Sequence, residues 1–218
     1  VFDLYFRKMP FNSGYAVFNG LKRVVNFIEN FGFTNEDITY LKSIGYEEDF
    51  LNYLKDLKFT GNIKSMQEGE ICFGNEPLLR VEAPLIQAQL IETILLNIIN
   101  FQTLIATKAS RIRQIATHDT LMEFGTRRAQ EIDAALWGAR AAFIGGFDST
   151  SNVRAGKLFN IPVSGTHAHA LVQTYGDEYI AFKKYAERHK NCVFLVDTFH
   201  TLKSGVPTAI KVAKELGD

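Results

Sequence analysis

The stretch from Leu121 to Ala170, LMEFGTRRAQ EIDAALWGAR AAFIGGFDST SNVRAGKLFN IPVSGTHAHA, decides the fold. Short apolar runs alternate with longer amphipathic ones. Strands are expected at Leu121–Phe124, Ala142–Ile144 and Ile161–Val163. Helices are expected at Arg128–Ala139, Thr150–Phe159 and His169–His189. A further pair follows, a strand at Cys192–Val196 and a helix at Gly205–Leu216. Strands alternating with helices imply a parallel sheet with right-handed crossovers. A closed barrel takes about eight such units, so this run amounts to about half of one.

Upstream the texture changes. Val1–Phe6 alternates like a strand. In Ser13–Asn30 the residues Val17, Leu21, Val24, Val25 and Ile28 recur at helical spacing. Thr34 and Asp37 suit a capping box for a helix through Ile44, and Glu47–Leu57 suits another short helix. Asn62–Ala83 reads as a small antiparallel sheet, with Gly74-Asn75 turning between Ile71–Phe73 and Leu78–Val81. Pro84 opens a long helix to about Ala116, a buried connector between lobes. The expected fold class is α/β: an α+β N-terminal lobe over 1–116, then the first half of a barrel over 117–218. Val1 stands without an initiator Met and Gly217-Asp218 reads as a helix C-cap, so a fragment of a longer chain is expected.

Composition narrows the function classes. Of 218 residues, 46% are hydrophobic, and 24 basic residues balance 24 acidic ones. A net charge of zero gives no reason to expect nucleic acid or an anionic membrane as partner. Leu90–Ile99, broken by Glu92, Thr93 and Asn97, reads as too short and too polar to span a bilayer. Only two cysteines are present, Cys72 and Cys192, each in an apolar run. They read as buried thiols of a reducing compartment.

The chemistry collects after the expected strands: Gly125-Thr126-Arg127-Arg128, Gly145-Gly146-Phe147-Asp148-Ser149, Ser164-Gly165-Thr166-His167-Ala168-His169 and Asp197-Thr198. The carboxyl ends of barrel strands are where catalytic groups are built, and this asymmetry points to an enzyme. Arginines at a helix start oppose the helix dipole, which favours a carboxylate or phosphate ligand for Arg127 or Arg128. The plainer reading is a surface arginine paired with Glu131 or Asp133. Gly145-Gly146 with Asp148 either cradles an anion or makes an ordinary βα turn. His167 and His169, at i and i+2 on a strand, point to one face. With Asp197 and His200 they suit Zn²⁺ in a metal-dependent barrel hydrolase. A phosphohistidine, an acid/base pair and a plain cap histidine remain open beside that. Glu123, at the strand tip, points inward or holds an arginine.

The stretches FDLYFRKMPFNSGYAVFNGL (2–21), EFGTRRAQ (123–130), GGFDSTSNV (145–153) and SGTHAHA (164–170) resemble the nicotinate phosphoribosyltransferase family, particularly its bacterial branch. The resemblance covers the whole chain and corresponds to the middle of a family member. It implies a type II phosphoribosyltransferase fold, an N-terminal lobe joined to an incomplete TIM-like α/β barrel. It implies transferase chemistry coupled to ATP hydrolysis in NAD biosynthesis: nicotinate and phosphoribosyl pyrophosphate give nicotinate mononucleotide and pyrophosphate. In the family motif His169 is the histidine that is transiently phosphorylated. Thr166 matches the threonine near nicotinate, and Arg127 the arginine facing the substrate carboxylate and phosphates. Arg128, Ser164 and Gly165 are carried with them as substrate-binding, and Glu123, Asp148, Asp197 and His167 as further candidates. Mg²⁺ and ATP, a homodimer and a cytoplasmic location are likewise implied. His200 stands where the family usually has an acid. The alternatives are the hydrolase using His167, His169 and Asp197, and a non-catalytic relative that keeps the fold.

Overall fold

Thr34 and Asp37 do close a reciprocal cap: the Thr34 hydroxyl accepts the Asp37 amide at 3.1 Å, and the Asp37 carboxylate accepts the Thr34 amide at 2.7 Å. That local chemistry is typical of the first half of the chain in the computed structural model, which describes residues 1–217. In order come β1 (Phe2–Leu4), β2 (Ala16–Val17), α1 (Leu21–Glu29), α2 (Asn35–Ser43), α3 (Glu48–Lys55), β3 (Asn62–Ser65), β4 (Ile71–Cys72), β5 (Leu79–Glu82) and α4 (Leu85–Ile115). The helix expected over 13–30 begins only at Leu21. Residues before it run extended, because the Val17 and Asn19 amides donate to Thr107 and Thr103 of α4 at 2.9 and 3.1 Å. The sheet is antiparallel, but the hairpin across Gly74-Asn75 does not form. β5 lies between β1 and β3, and β4 pairs with β2. Asn75, at φ 62°, donates its amide to the Phe6 carbonyl and so carries the chain past β1.

Ala16, Phe18, Leu79, Val81, Ile91 and Ile99 form the main core, between the strands and one face of α4. By length and composition alone α4 is apolar enough to cross a membrane, which corrects the reading based on Leu90–Ile99. Here it is a core helix: it packs on β2, on α1 and on the helix after β6.

The second half holds β6 (Met122–Glu123), a 3₁₀ turn at Thr126–Arg128, α5 (Glu131–Ile144), β7 (Ser149–Thr150), α6 (Val153–Phe159), α7 (His169–Tyr175), α8 (Glu178–Ala186), a π turn at Thr201–Gly205 and α9 (Val206–Leu216). β6 and β7 pair in parallel, and Thr150 bridges Val163 in the same sense. Ala142–Ile144 is therefore not a strand but the last turn of α5. A short apolar run cannot be assigned by periodicity, and alanine favours the helix, burying Ala139, Ala141 and Ala142. The helix expected over 169–189 is two, broken at Gly176 (φ 67°), with Asp177 capping α8. Cys192–Val196 is extended chain without a ladder partner among the described residues. Gly217 caps α9 in a left-handed conformation (φ 82°) as expected, while Asp218 lies outside the described residues.

The chain divides into two compact units, one of Val1–Val163 and one from Ser164 onward. The division falls after 163, not after 116, because α4 packs along α5 and ties residues 117–163 to the first lobe.

Candidate active site

At the tip of β6 the Glu123 carboxylate shapes the turn that follows. One oxygen accepts the Gly125 amide, and the other accepts the Thr150 hydroxyl at 2.7 Å. Glu123 thus faces its own loop and β7 and holds no arginine. The chain then makes the 3₁₀ turn bearing Arg127 and Arg128. Both are exposed, and neither side chain has a hydrogen-bond or ion-pair partner among the described residues. The expected structural partner Asp133 is taken by Arg23. Two adjacent guanidinium forks are therefore left free to meet a planar anion.

Asp148 is a different case. Because Ala142–Ile144 is helical, Gly145 to Asp148 lead into β7 and not out of a strand, so they are not on the carboxyl rim. Gly145 caps α5 where a Cβ would run into the Ala106 carbonyl oxygen of α4. The Asp148 carboxylate accepts the Leu121 amide at 2.7 Å and pairs with Arg113. The Leu121 amide, then the Arg113 guanidinium, hold its pKa below the ordinary carboxylate value. Arg113 also donates to the carbonyls of Gly146, Ala116 and Asp119 at 2.7, 2.8 and 2.8 Å. Asp148 is thus a clasp on the end of α4, its carboxylate already engaged by Leu121 and Arg113.

In the second unit, the 164–169 loop separates two histidines that spacing placed on one face. His167 is buried, its ring edge-on to Tyr185 at 4.9 Å and beside Phe182 at 5.5 Å. Its Nε2 accepts the Leu195 amide at 3.0 Å, so that nitrogen carries the lone pair and the proton sits on Nδ1. His169 is exposed on the first turn of α7. Its Nδ1 meets the Thr198 hydroxyl at 3.1 Å, and its Nε2 lies 3.8 Å from Asp197 Oδ1. The two rings diverge because the chain turns from extended at Ala168 into helix at His169, which ends the period of two. His200 caps the π turn, its Nδ1 accepting the Lys203 amide at 3.2 Å. The described residues contain no cluster of three or more His, Cys, Asp or Glu placed to hold a metal. The hydrolase reading therefore finds no support: of its three ligands, His167 has its lone pair engaged in the core.

Ser164 is half-buried and Gly165 exposed, with open space where a Cβ would stand. Thr166 donates its hydroxyl to the His167 carbonyl at 2.9 Å. Sequence reasoning missed Thr198 as the partner of His169; its place beside Asp197 was visible, its contact was not. It also missed a polar knot in the first unit. Arg140 forks onto Glu68 at 2.6 and 2.9 Å, and Glu68 accepts the Gly20 amide at 2.9 Å. Burial alone would raise the Glu68 pKa; Arg140 and the Gly20 and Lys22 amides outweigh it and hold the carboxyl below its ordinary value.

Residues 1–100 match the family described as nicotinate phosphoribosyltransferase (NAPRTase) N-terminal domain. The nicotinate phosphoribosyltransferase of Bacillus subtilis is 66% identical over the whole of this chain and 45% of its own length. The chain belongs to the nicotinate phosphoribosyltransferase family. Nicotinate phosphoribosyltransferase pncB2 of Mycobacterium tuberculosis is 40% identical, again over the whole chain and 47% of its own length. The crystal structure of human nicotinic acid phosphoribosyltransferase superposes with a TM-score of 0.82 at 29% identity, over 99% of this chain and 53% of that one. A nicotinate-nucleotide pyrophosphorylase from Pyrococcus furiosus gives 0.78 at 28%, over 99% and 48%. The chain spans about half the length of the curated relatives it matches. Membership in the family fixes the fold class as the α/β type expected from the sequence and sets aside the alternative families.

Proposed function

We propose that this chain carries the nicotinate-binding and phosphohistidine parts of a nicotinate phosphoribosyltransferase. Nicotinate and phosphoribosyl pyrophosphate give nicotinate mononucleotide and pyrophosphate, and ATP hydrolysis is coupled through His169. The observation that carries the reading is the exposed His169 ring, meeting the Thr198 hydroxyl at Nδ1 and flanked by Asp197 3.8 Å from an Nε2 that still faces solvent.

With the proton on Nδ1 donated to Thr198, the Nε2 lone pair attacks the γ-phosphorus of ATP. The bond to the ADP oxygen breaks and ADP leaves; water later releases phosphate. Phosphorylation adds up to about two negative charges at this exposed position. Arg127 offers its fork to the nicotinate carboxylate, and Arg128 supplies a second cation for phosphate oxygens. The family motif marks Ser164, Gly165 and Thr166 as substrate-binding. Glu123 acts through the Gly125 turn that sets Arg127. Ribosyl transfer passes through a cation-like sugar, so placing the ring nitrogen and excluding water matter more than acid/base help. Mg²⁺ finds no ready-made set of ligands among the described residues, so no step is assigned to it.

A homodimer fits the exposed aromatics Tyr5 and Phe11 of the first lobe, and a cytoplasmic location fits a chain with only two cysteines. The test is turnover of labelled nicotinate by the intact protein, with and without ATP. Labelled mononucleotide that rises with ATP is expected. Failure to bind either nicotinate or phosphoribosyl pyrophosphate by calorimetry would leave a non-catalytic relative of the fold.

A further inference from the structure

We infer that His167, which the proposed chemistry does not use, is the residue that positions Asp197 and Thr198 against His169. The inference rests on the proposed role of His169. Two segments of the second unit face each other, 164–169 and 193–198. Among the described residues no backbone ladder joins them. The hydrogen bonds between them are two, both made by imidazoles: His167 Nε2 to the Leu195 amide, and His169 Nδ1 to the Thr198 hydroxyl.

The two contacts differ in kind. The His169 contact is exposed and joins two side chains that can rotate away, so it cannot set the register of the segment that carries Thr198. The His167 contact is part-buried, made by a buried ring, and fixes a backbone amide. Its ring is itself fixed by Tyr185 and Phe182, and Phe182 stacks on Phe194 at 4.9 Å. Phe194 and Val196 pack into the apolar core of the unit, and Gly205 lets the π turn lie on the Val196 carbonyl. Apolar packing brings the segment to the unit without choosing a register. A single directional acceptor, His167 Nε2, takes the Leu195 amide and chooses it, and Asp197 and Thr198 follow two and three residues on. His167 thus does the work of a missing strand pair. It touches no reacting atom; it is a positioning residue.

The claim separates the lone pair of Nε2 from the bulk of the ring. His167→Met keeps an apolar filling without the acceptor. His167→Gln sets an amide oxygen about where Nε2 stands. Each is made in the intact protein, and two readouts are taken: hydrogen exchange of the peptide spanning 193–199, and the initial rate of acid-labile phosphate transfer from labelled ATP to His169. In the methionine variant, amide exchange rises and phosphoryl transfer falls, each by roughly tenfold, the effect of losing one well-made hydrogen bond. In the glutamine variant both return to within about threefold of the original. Equal losses in the two variants, or unchanged exchange in the methionine variant, overturn the positioning role. If the methionine variant does not fold, His167→Phe takes its place; if neither folds while glutamine does, the acceptor serves global stability and the inference is wrong. If the unaltered protein never phosphorylates His169, the proposed function fails, and the exchange arm still decides the part played by His167.

Discussion

Arg113 and Arg140 commit their guanidinium groups to carbonyls and carboxylates around them, whereas Arg127 and Arg128, in the same unit, leave theirs free. Arg113 gathers Asp148 and the carbonyls of Gly146, Ala116 and Asp119; Arg140 forks onto Glu68 and lies over the Phe159 ring at 5.7 Å. Nothing in residue type separates the pairs. What separates them is whether the surrounding fold has already satisfied the charge. A satisfied arginine holds elements together; an unsatisfied one on a rigid turn is available to a ligand. The same contrast divides His167 from His169.

That contrast can be broken by experiment. The largest effect belongs to an open group: His169→Asn should abolish ATP stimulation of nicotinate turnover while leaving the melting temperature in place. Retained stimulation would move the coupling elsewhere. Next comes a satisfied group. Arg140→Met strands a mostly buried Glu68 carboxylate, and urea unfolding should show a loss of about 2–4 kcal/mol. A loss below about 1 kcal/mol, the range of surface pairs, would mean the knot is no more than a surface contact.

Arg127→Ala should raise the KM for nicotinate by about 10–100-fold, the cost of one charge-assisted fork, with the unfolding curve unchanged. A shifted unfolding curve would place Arg127 with Arg113 and not apart from it. The pH dependence of stability is a smaller effect. Asp148 and Glu68 both have folded pKa values below their ordinary ones, so their contribution is complete above the unfolded values of about 4. It is lost as pH falls through the lower folded values. Unfolding curves from pH 7 down to 3 should show it, and Asp148→Asn should flatten part of the slope. The smallest expected effect is none: burial, then the Glu76 charge, push the Cys72 thiol up to about 11, so alkylation at pH 8 should modify it only when the first unit unfolds.

How much was legible in the residues follows from the range of the forces involved. The capping box at Thr34 and Asp37, the proline before α4 and the glycine after α9 act within one turn of helix, and each stands where the sequence put it. Arg127 and His169 were legible as candidates, an arginine pair after a glycine and a histidine after an expected strand, and the structure leaves both exposed. The apolar run Ala142–Ile144 was not legible, since helix and strand bury such a run equally well. That one ambiguity carried Asp148 onto the wrong end of a strand.

The sequence by itself determined the α/β class, the helix ends marked by Thr34, Pro84 and Gly217, and the family, because these depend on neighbours a few residues apart or on motifs read in order. Only the tertiary structure decided which charges are already answered, that β5 lies between β1 and β3, and that His167 turns into an aromatic core while His169 faces out. Those outcomes depend on groups far apart in the chain, such as Arg113 with Asp148 and Arg140 with Glu68. No periodicity encodes such pairs, because burial and hydrogen bonding are settled by what packs opposite and not by what stands adjacent.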